Sequence, residues 1–169
     1  MSNLHRILYV FVEGLDDERF FAHYFSVKNI NTKIIKYSRL KRRELSSLLR
    51  SCTRNGKDKY VFVVDGDHVS IEERIKKALQ KYPDCSRECL VVSQEEIESW
   101  YLAGLNREQS NKLKIKYITN TDNLTKEKFE TVIPSSLNCI RFKIEILKVF
   151  DIDEAKSRNH SFCAFAEKY

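Results

Sequence analysis

The chain predicts an α/β fold of three layers, a largely parallel sheet between helices, and three observations carry that expectation. Two short apolar runs, Ile7-Leu8-Tyr9-Val10-Phe11-Val12 and Tyr60-Val61-Phe62-Val63-Val64, have the length and the β-branched and aromatic content of buried strands. Segments of helical periodicity separate them, which favours right-handed crossovers and parallel neighbours. Both runs end in an acid-glycine step, Glu13-Gly14 and Asp65-Gly66, and in a parallel sheet the carboxyl ends of the strands open on one edge.

A helix is expected from about Asp16, which has N-cap chemistry, with Phe20, Phe21, Tyr24 and Phe25 recurring at helical spacing. Lys33 to Tyr37 reads as a short second strand. Leu40, Leu45, Leu48, Leu49 and Cys52 form the stripe of a second helix, closed by Asn55-Gly56 with the chemistry of a left-handed cap. Residues 60 to 64 are the third strand. Ile71, Ile75, Ala78, Leu79 and Tyr82 define a third helix that Pro83 stops, and Glu88 to Val92 reads as a fourth strand. A further helix opens at Glu95. The polar stretch from Asn106 to Lys128 predicts a loop-rich insertion, Arg141 to Phe150 a helix, and Ser161 the cap of a last helix holding Phe162, Phe165 and Ala166. With no repeat and no clear linker, the chain is expected to be a single domain over residues 1–169. Its core spans about 5–104, followed by the insertion and a helical C-terminal extension over 105–169.

A chain of 169 residues can bury a real core, since about 150 residues hide roughly two thirds of their unfolded surface. The five cysteines form no tight pairing pattern, and no charged-then-apolar leader precedes the first strand, so a cytoplasmic setting is expected. Cys85 and Cys89 lack the second close pair of a zinc site and read as small core residues. Apolar runs are strand-sized, short of the roughly 20 residues of a membrane span. No GxxxxGKS/T, GxSxG or HExxH motif occurs, which argues against an ATPase, a serine hydrolase of that type and a zinc protease.

Asp65 and Asp67 have period-two spacing, so in continuing extended chain both side chains point the same way across Gly66; a simple Asp-Gly turn is the alternative. Two carboxylates about 4 Å apart repel by roughly 4 kcal/mol at an effective dielectric of 20, so such a pair shares protons or binds a divalent cation. Mg²⁺ takes one or two protein carboxylates and fills its octahedron with water and phosphate oxygens. Glu13 is the third strand-end acid, placed to complete the site or act as general base on an attacking water. An acidic pocket on a body of net charge +6 and pI near 9.0 suggests a phosphodiester substrate. Asp17 follows Glu13 by four residues. Glu95 and Glu96 either add acids to the same edge or complement a helix dipole. Trp100, Tyr101 and Leu102 read as packing residues, and His68 as a supporting or solvent-facing group. Lys156 is expected to meet the departing or pentavalent phosphate, and Lys112, Lys114, Lys116 and Arg158 to contact phosphates.

Val12-Glu13-Gly14 after the first strand and Val64-Asp65-Gly66-Asp67 after the third resemble the Toprim fold over about residues 5 to 104. Topoisomerases, primases, recombination proteins, small ribonucleases and the overcoming-lysogenization-defect nucleases share that fold. Similarity to the nuclease branch implies Mg²⁺ or Mn²⁺ held by Asp65 and Asp67, with a second metal site from Asp17 and Glu96 or Glu98. It implies hydrolysis of phosphodiester bonds in DNA or RNA. Glu96-Ile97-Glu98-Ser99-Trp100-Tyr101-Leu102-Ala103, and Arg158-Asn159-His160-Ser161-Phe162 followed by Phe165, resemble segments of small standalone Toprim-like proteins. The nuclease branch often carries an ATPase domain ahead of its Toprim region; none is read here, so ATP-driven activity is expected to need another chain. The rival expectation is an accessory nucleic-acid-binding subunit of a phage-defence or repair complex.

Overall fold

A computed structural model describes residues 7–54 and 59–169; the expected Asn55-Gly56 cap lies outside the described residues. Strand and helix alternate as β1 (Leu8–Val12), α1 (Leu15–Val27), β2 (Thr32–Lys36), α2 (Arg42–Arg54), β3 (Lys59–Asp65), α3 (Ile71–Lys81) and β4 (Leu90–Ser93). The sheet is four-stranded and parallel in the order β2-β1-β3-β4, so the α/β expectation holds. Val12 pairs with Lys36, and Phe11 with Phe62, so β2, β1 and β3 run the same way and finish on the same edge.

The chain gathers into two compact units, one of Met1–Val64 and Ser70–Val92, the other of Asp65–Val69 and Ser93–Tyr169. In the first, the strand period of two sends Phe11, Tyr60, Phe62 and Val64 to one face, where they pack with Leu45, Leu49 and Cys52 of α2 and Ala78 of α3. Tyr37 stacks on Phe62 with centroids 4.6 Å apart, and Tyr82 closes on the same ring at 5.0 Å. Each such buried ring contributes about 1.5–3 kcal/mol over leaving it exposed. Helix α1 lies against β1 and β2 and buries Phe20, Phe21, Tyr24 and Phe25.

Three boundaries differ from expectation. The N-cap of α1 is Gly14 rather than Asp16, because the Asp17 carboxylate reaches back to accept from the Gly14 N–H at 2.9 Å. Strand β2 stops at Lys36 because Tyr37 begins a 3-10 turn, closed by the Leu40 N–H on the Tyr37 carbonyl at 3.1 Å. Glu88 lies in a second such turn, Arg87–Cys89, so β4 starts only at Leu90.

Cys85 is a core residue of this unit, and the Tyr60 hydroxyl accepts from the Ser86 N–H at 2.7 Å beside it. Burial pushes the Cys85 thiol from its ordinary 9.0 up to about 12 and raises the Tyr60 phenol as well. Both groups are neutral in the folded chain, so their stabilising contribution is complete below the unfolded values and is lost as pH rises toward the folded ones. Urea melts between pH 8 and 11 are expected to show stability falling above pH 9, and Cys85→Ser should flatten that decline.

The second unit is built on α4 (Ile97–Ala103), whose residues are all buried, with α5 (Arg107–Lys112), α6 (Lys126–Thr131), α7 (Cys139–Lys148), α8 (Ile152–Arg158) and α9 (His160–Lys168). Helices α6, α7 and α8 pack on α4. The expected loop-rich insertion carries α5 and α6 because its Asn and Thr residues act as caps. The Asn106 side chain accepts from the Gln109 N–H at 2.9 Å, and Thr125 caps α6. Asn159, not Ser161, caps α9, accepting from the Phe162 N–H at 2.9 Å. Ser161 is thereby free to accept from the Trp100 Nε1–H at 2.8 Å and the Gln94 N–H at 3.1 Å. Trp100 is fully buried and stacks on Phe165, as its packing role predicts. Among the described residues no helix is long and apolar enough to cross a membrane.

Candidate functional site

Glu13 is the first residue after β1, exposed at the carboxyl edge of the sheet. Two residues at the end of β2 hold it. The Tyr37 hydroxyl lies 3.3 Å from Glu13 Oε2, and Ser38 Oγ donates to the Glu13 carbonyl at 2.5 Å. Parallel pairing of β1 and β2 brings these positions together, since Val12 and Lys36 are register partners. Asp17 is buried one helical turn on, its Oδ2 engaged by the Gly14 N–H. Asp16 pairs with Arg19 at 2.5 Å.

Asp65 is the last residue of β3 and half-buried, and Ser93 Oγ donates to its Oδ1 at 2.9 Å. The chain does not continue extended beyond it. Asp67 and His68 both take the left-handed conformation, at φ 53° and 57°, so the period-two expectation for Asp65 and Asp67 gives way to the turn alternative. Consecutive left-handed residues cost about 1–2 kcal/mol each without glycine. Contacts inside the second unit hold the turn open. The Gly66 N–H donates to the Glu95 carbonyl at 2.9 Å, the His68 ring pairs with the Glu95 carboxylate, and Glu95 is itself left-handed at φ 61°. Strain of this kind persists only where neighbours over-determine it, and it gathers at functional sites.

Gly66 is required by this approach. A Cβ there would sit 2.7 Å from the Glu95 nitrogen and 3.1 Å from the Ser93 oxygen, both backbone atoms that cannot swing aside. Gly66→Ala is expected to lower the urea-unfolding free energy by about 1–3 kcal/mol, the scale of overpacking, and to displace the Asp65–Asp67 segment.

Glu98 and Glu96 have structural partners. Glu98 is buried with its Oε1 2.6 Å from Lys143 Nζ, so a cation at Glu98 would compete with that ammonium. Glu96 is the cap residue of α4, and its Oε2 accepts from the Lys126 N–H at 2.7 Å. Lys156 is half-buried on α8. Arg158 is not a phosphate contact as expected. It is buried, its guanidinium donates to the carbonyls of Ala103, Leu105 and Ile118, and it lies over the Tyr117 ring. His160 Nδ1 meets Asp122 Oδ2 at 2.5 Å.

Ser93, Tyr37 and Ser38 were not singled out from the sequence, although all three stand at or just past strand ends, and Glu95 was read only as an edge acid or a complement to a helix dipole. The signal for them was position: in a parallel sheet the residues that finish neighbouring strands share an edge. Among the described residues no group of three or more His, Cys, Asp or Glu is gathered so as to hold a metal. What the second unit offers is two hard carboxylates on one short turn, a donor set that suits Mg²⁺ or Mn²⁺ completed by water and phosphate oxygens. Compared with known proteins, the chain matches no protein-family model, no curated protein and no solved structure.

Proposed function

We propose that the chain is a Mg²⁺- or Mn²⁺-dependent nuclease that hydrolyses phosphodiester bonds in DNA or RNA, as the Toprim resemblance implies. The observation that supports it is the strained turn Asp65–His68 at the end of a central parallel strand, two acids within three residues, held by Ser93 and Glu95. Asp65 and Asp67 would hold the cation, whose chemistry is to polarise the phosphate and lower the pKa of bound water. Glu13, steadied by Tyr37 and Ser38, would accept the proton of the attacking water. Asp17, Glu96 and Glu98 would support a second cation only by leaving the partners they now have. Lys156 is retained as a candidate for the phosphate's developing charge. Free cysteines such as Cys52 and Cys85 suit a reducing compartment, and we place the protein in the cytoplasm.

The accessory reading, a nucleic-acid-binding subunit working beside another enzyme, draws support from the absence of a three-acid cluster among the described residues. Labelled single- and double-stranded DNA and RNA, incubated with Mg²⁺, Mn²⁺ or chelator, separate the two. Cleavage with either metal and none with chelator is the expected result. Binding without cleavage in every condition overturns the nuclease reading in favour of the accessory one.

A further inference from the structure

Positive charge on this chain is concentrated. The first unit carries 18 Lys and Arg against 10 Asp and Glu, whereas the second carries 12 against 14. Within the first unit, residues 28–50 contain eight basic residues and a single acid, Glu44. Arg39, Lys41, Arg42 and Arg43 fall within five positions between the end of β2 and the first turn of α2, and all four are exposed. Lys36 is neutralised by Glu18, but among the described residues no acid side chain pairs with these four. They follow directly on Tyr37 and Ser38, the two residues bonded to Glu13 at 3.3 and 2.5 Å. The cluster therefore leaves the sheet at the edge where the candidate general base stands.

We infer that Arg39, Lys41, Arg42 and Arg43 form the surface that grips the phosphate backbone of nucleic acid beside Glu13. This rests on the nuclease reading above and names the part of the chain that recognises its substrate. Guanidinium groups fit phosphate oxygens two at a time, and such contacts position a backbone without reading its sequence. A lipid surface fits less well, because α2 has already buried its apolar stripe of Leu45, Leu49 and Cys52 in the core and keeps no apolar face to enter a membrane interface. Lys112, Lys114 and Lys116 belong to the unit with an acidic balance, and Lys112 already pairs with Glu108 at 2.6 Å.

The test is fluorescence-anisotropy binding of a labelled 30-base-pair duplex in chelator, from about 50 to 200 mM salt, the range over which counterion release is steep. Three proteins are compared: wild type, the quadruple variant Arg39→Gln/Lys41→Gln/Arg42→Gln/Arg43→Gln, and the triple variant Lys112→Gln/Lys114→Gln/Lys116→Gln. The quadruple variant is expected to bind more weakly, with a log-log salt slope shallower by about 3 to 4, since each duplex phosphate contact contributes about 0.9. The triple variant should stay close to wild type. Should the quadruple variant fail to melt cooperatively, Arg42→Gln/Arg43→Gln is expected to show about half the change in slope. A wild-type slope in the quadruple variant, or a loss carried by the triple variant, overturns the inference even where wild type cleaves, leaving the nuclease reading intact. The expected loss in a protein that never cleaves supports the surface and removes the nuclease reading. Wild-type binding to phosphatidylserine vesicles but not to duplex overturns the inference outright.

Discussion

Glu98→Leu is expected to lower the unfolding free energy by about 3–5 kcal/mol, because it strands a buried ammonium. Lys143 Nζ and Glu98 Oε1 are 2.6 Å apart, and their side chains are 1% and 5% exposed. The rings of Tyr101 and Phe129 also face the ammonium, at 5.8 and 5.2 Å from their centroids. A desolvated cation–π contact is worth about 2 kcal/mol, too little to replace a carboxylate. The double variant Glu98→Leu/Lys143→Met should recover most of the loss, since a buried pair replaced as a pair by apolar groups is close to neutral. Urea melts of both variants measure this. Activity of the double variant then divides two roles: cleavage restored together with stability marks Glu98 as structural, whereas restored stability without cleavage marks it as a cation ligand.

Asp65→Asn is expected to act in the opposite way, sparing the fold and removing the chemistry. The asparagine carbonyl oxygen can still accept from Ser93 Oγ, now 2.9 Å from Asp65 Oδ1, so apo stability should stay level. Cleavage should fall by about 10²–10⁴, the equivalent of several kcal/mol of lost cation-borne stabilisation at 1.36 kcal/mol per tenfold. Asp67→Asn is its companion, since asparagine is among the few residues that tolerate the left-handed conformation Asp67 adopts at φ 53°. Initial rates on a labelled oligonucleotide at saturating Mg²⁺ provide the measurement. Rates within a few-fold of wild type in both variants would remove these acids from the reaction.

The fold was legible because its signals are local. Strand-length apolar runs and the stripes of α1, α2 and α3 each announce their own element, and alternation then implies a parallel sheet. What the sequence could not show was which polar residues had structural work. Arg158-Asn159-His160-Ser161-Phe162 looks like a basic, phosphate-seeking stretch in one dimension. In three dimensions Arg158 satisfies backbone carbonyls, Asn159 caps α9, His160 pairs with Asp122 and Ser161 bonds Trp100. Those partners lie between 38 and 61 residues away in sequence for His160 and Ser161, beyond any periodicity. The ion pair of Glu98 was hidden for the same reason, its partner Lys143 being 45 residues on. An Asp-Gly turn was readable as the alternative, but the left-handed geometry at Asp67 was hidden, because at a non-glycine it is imposed by neighbours, here Glu95, rather than chosen by the residue. Conversely, Arg39 to Arg43 entered the sequence reading only within the net charge of +6, and the cluster gained meaning only once β2 was seen to end beside Glu13.

The most direct test of the cation centre is the stability of metal-free protein with and without Mg²⁺, measured by urea melts for wild type, Asp65→Asn and Asp67→Asn. Wild type should gain about 2.7 kcal/mol at a hundredfold excess over the dissociation constant, and each variant distinctly less. Equal responses in all three proteins, or no response in wild type to either Mg²⁺ or Mn²⁺, would contradict the account, because Asp65 and Asp67 would then hold no cation.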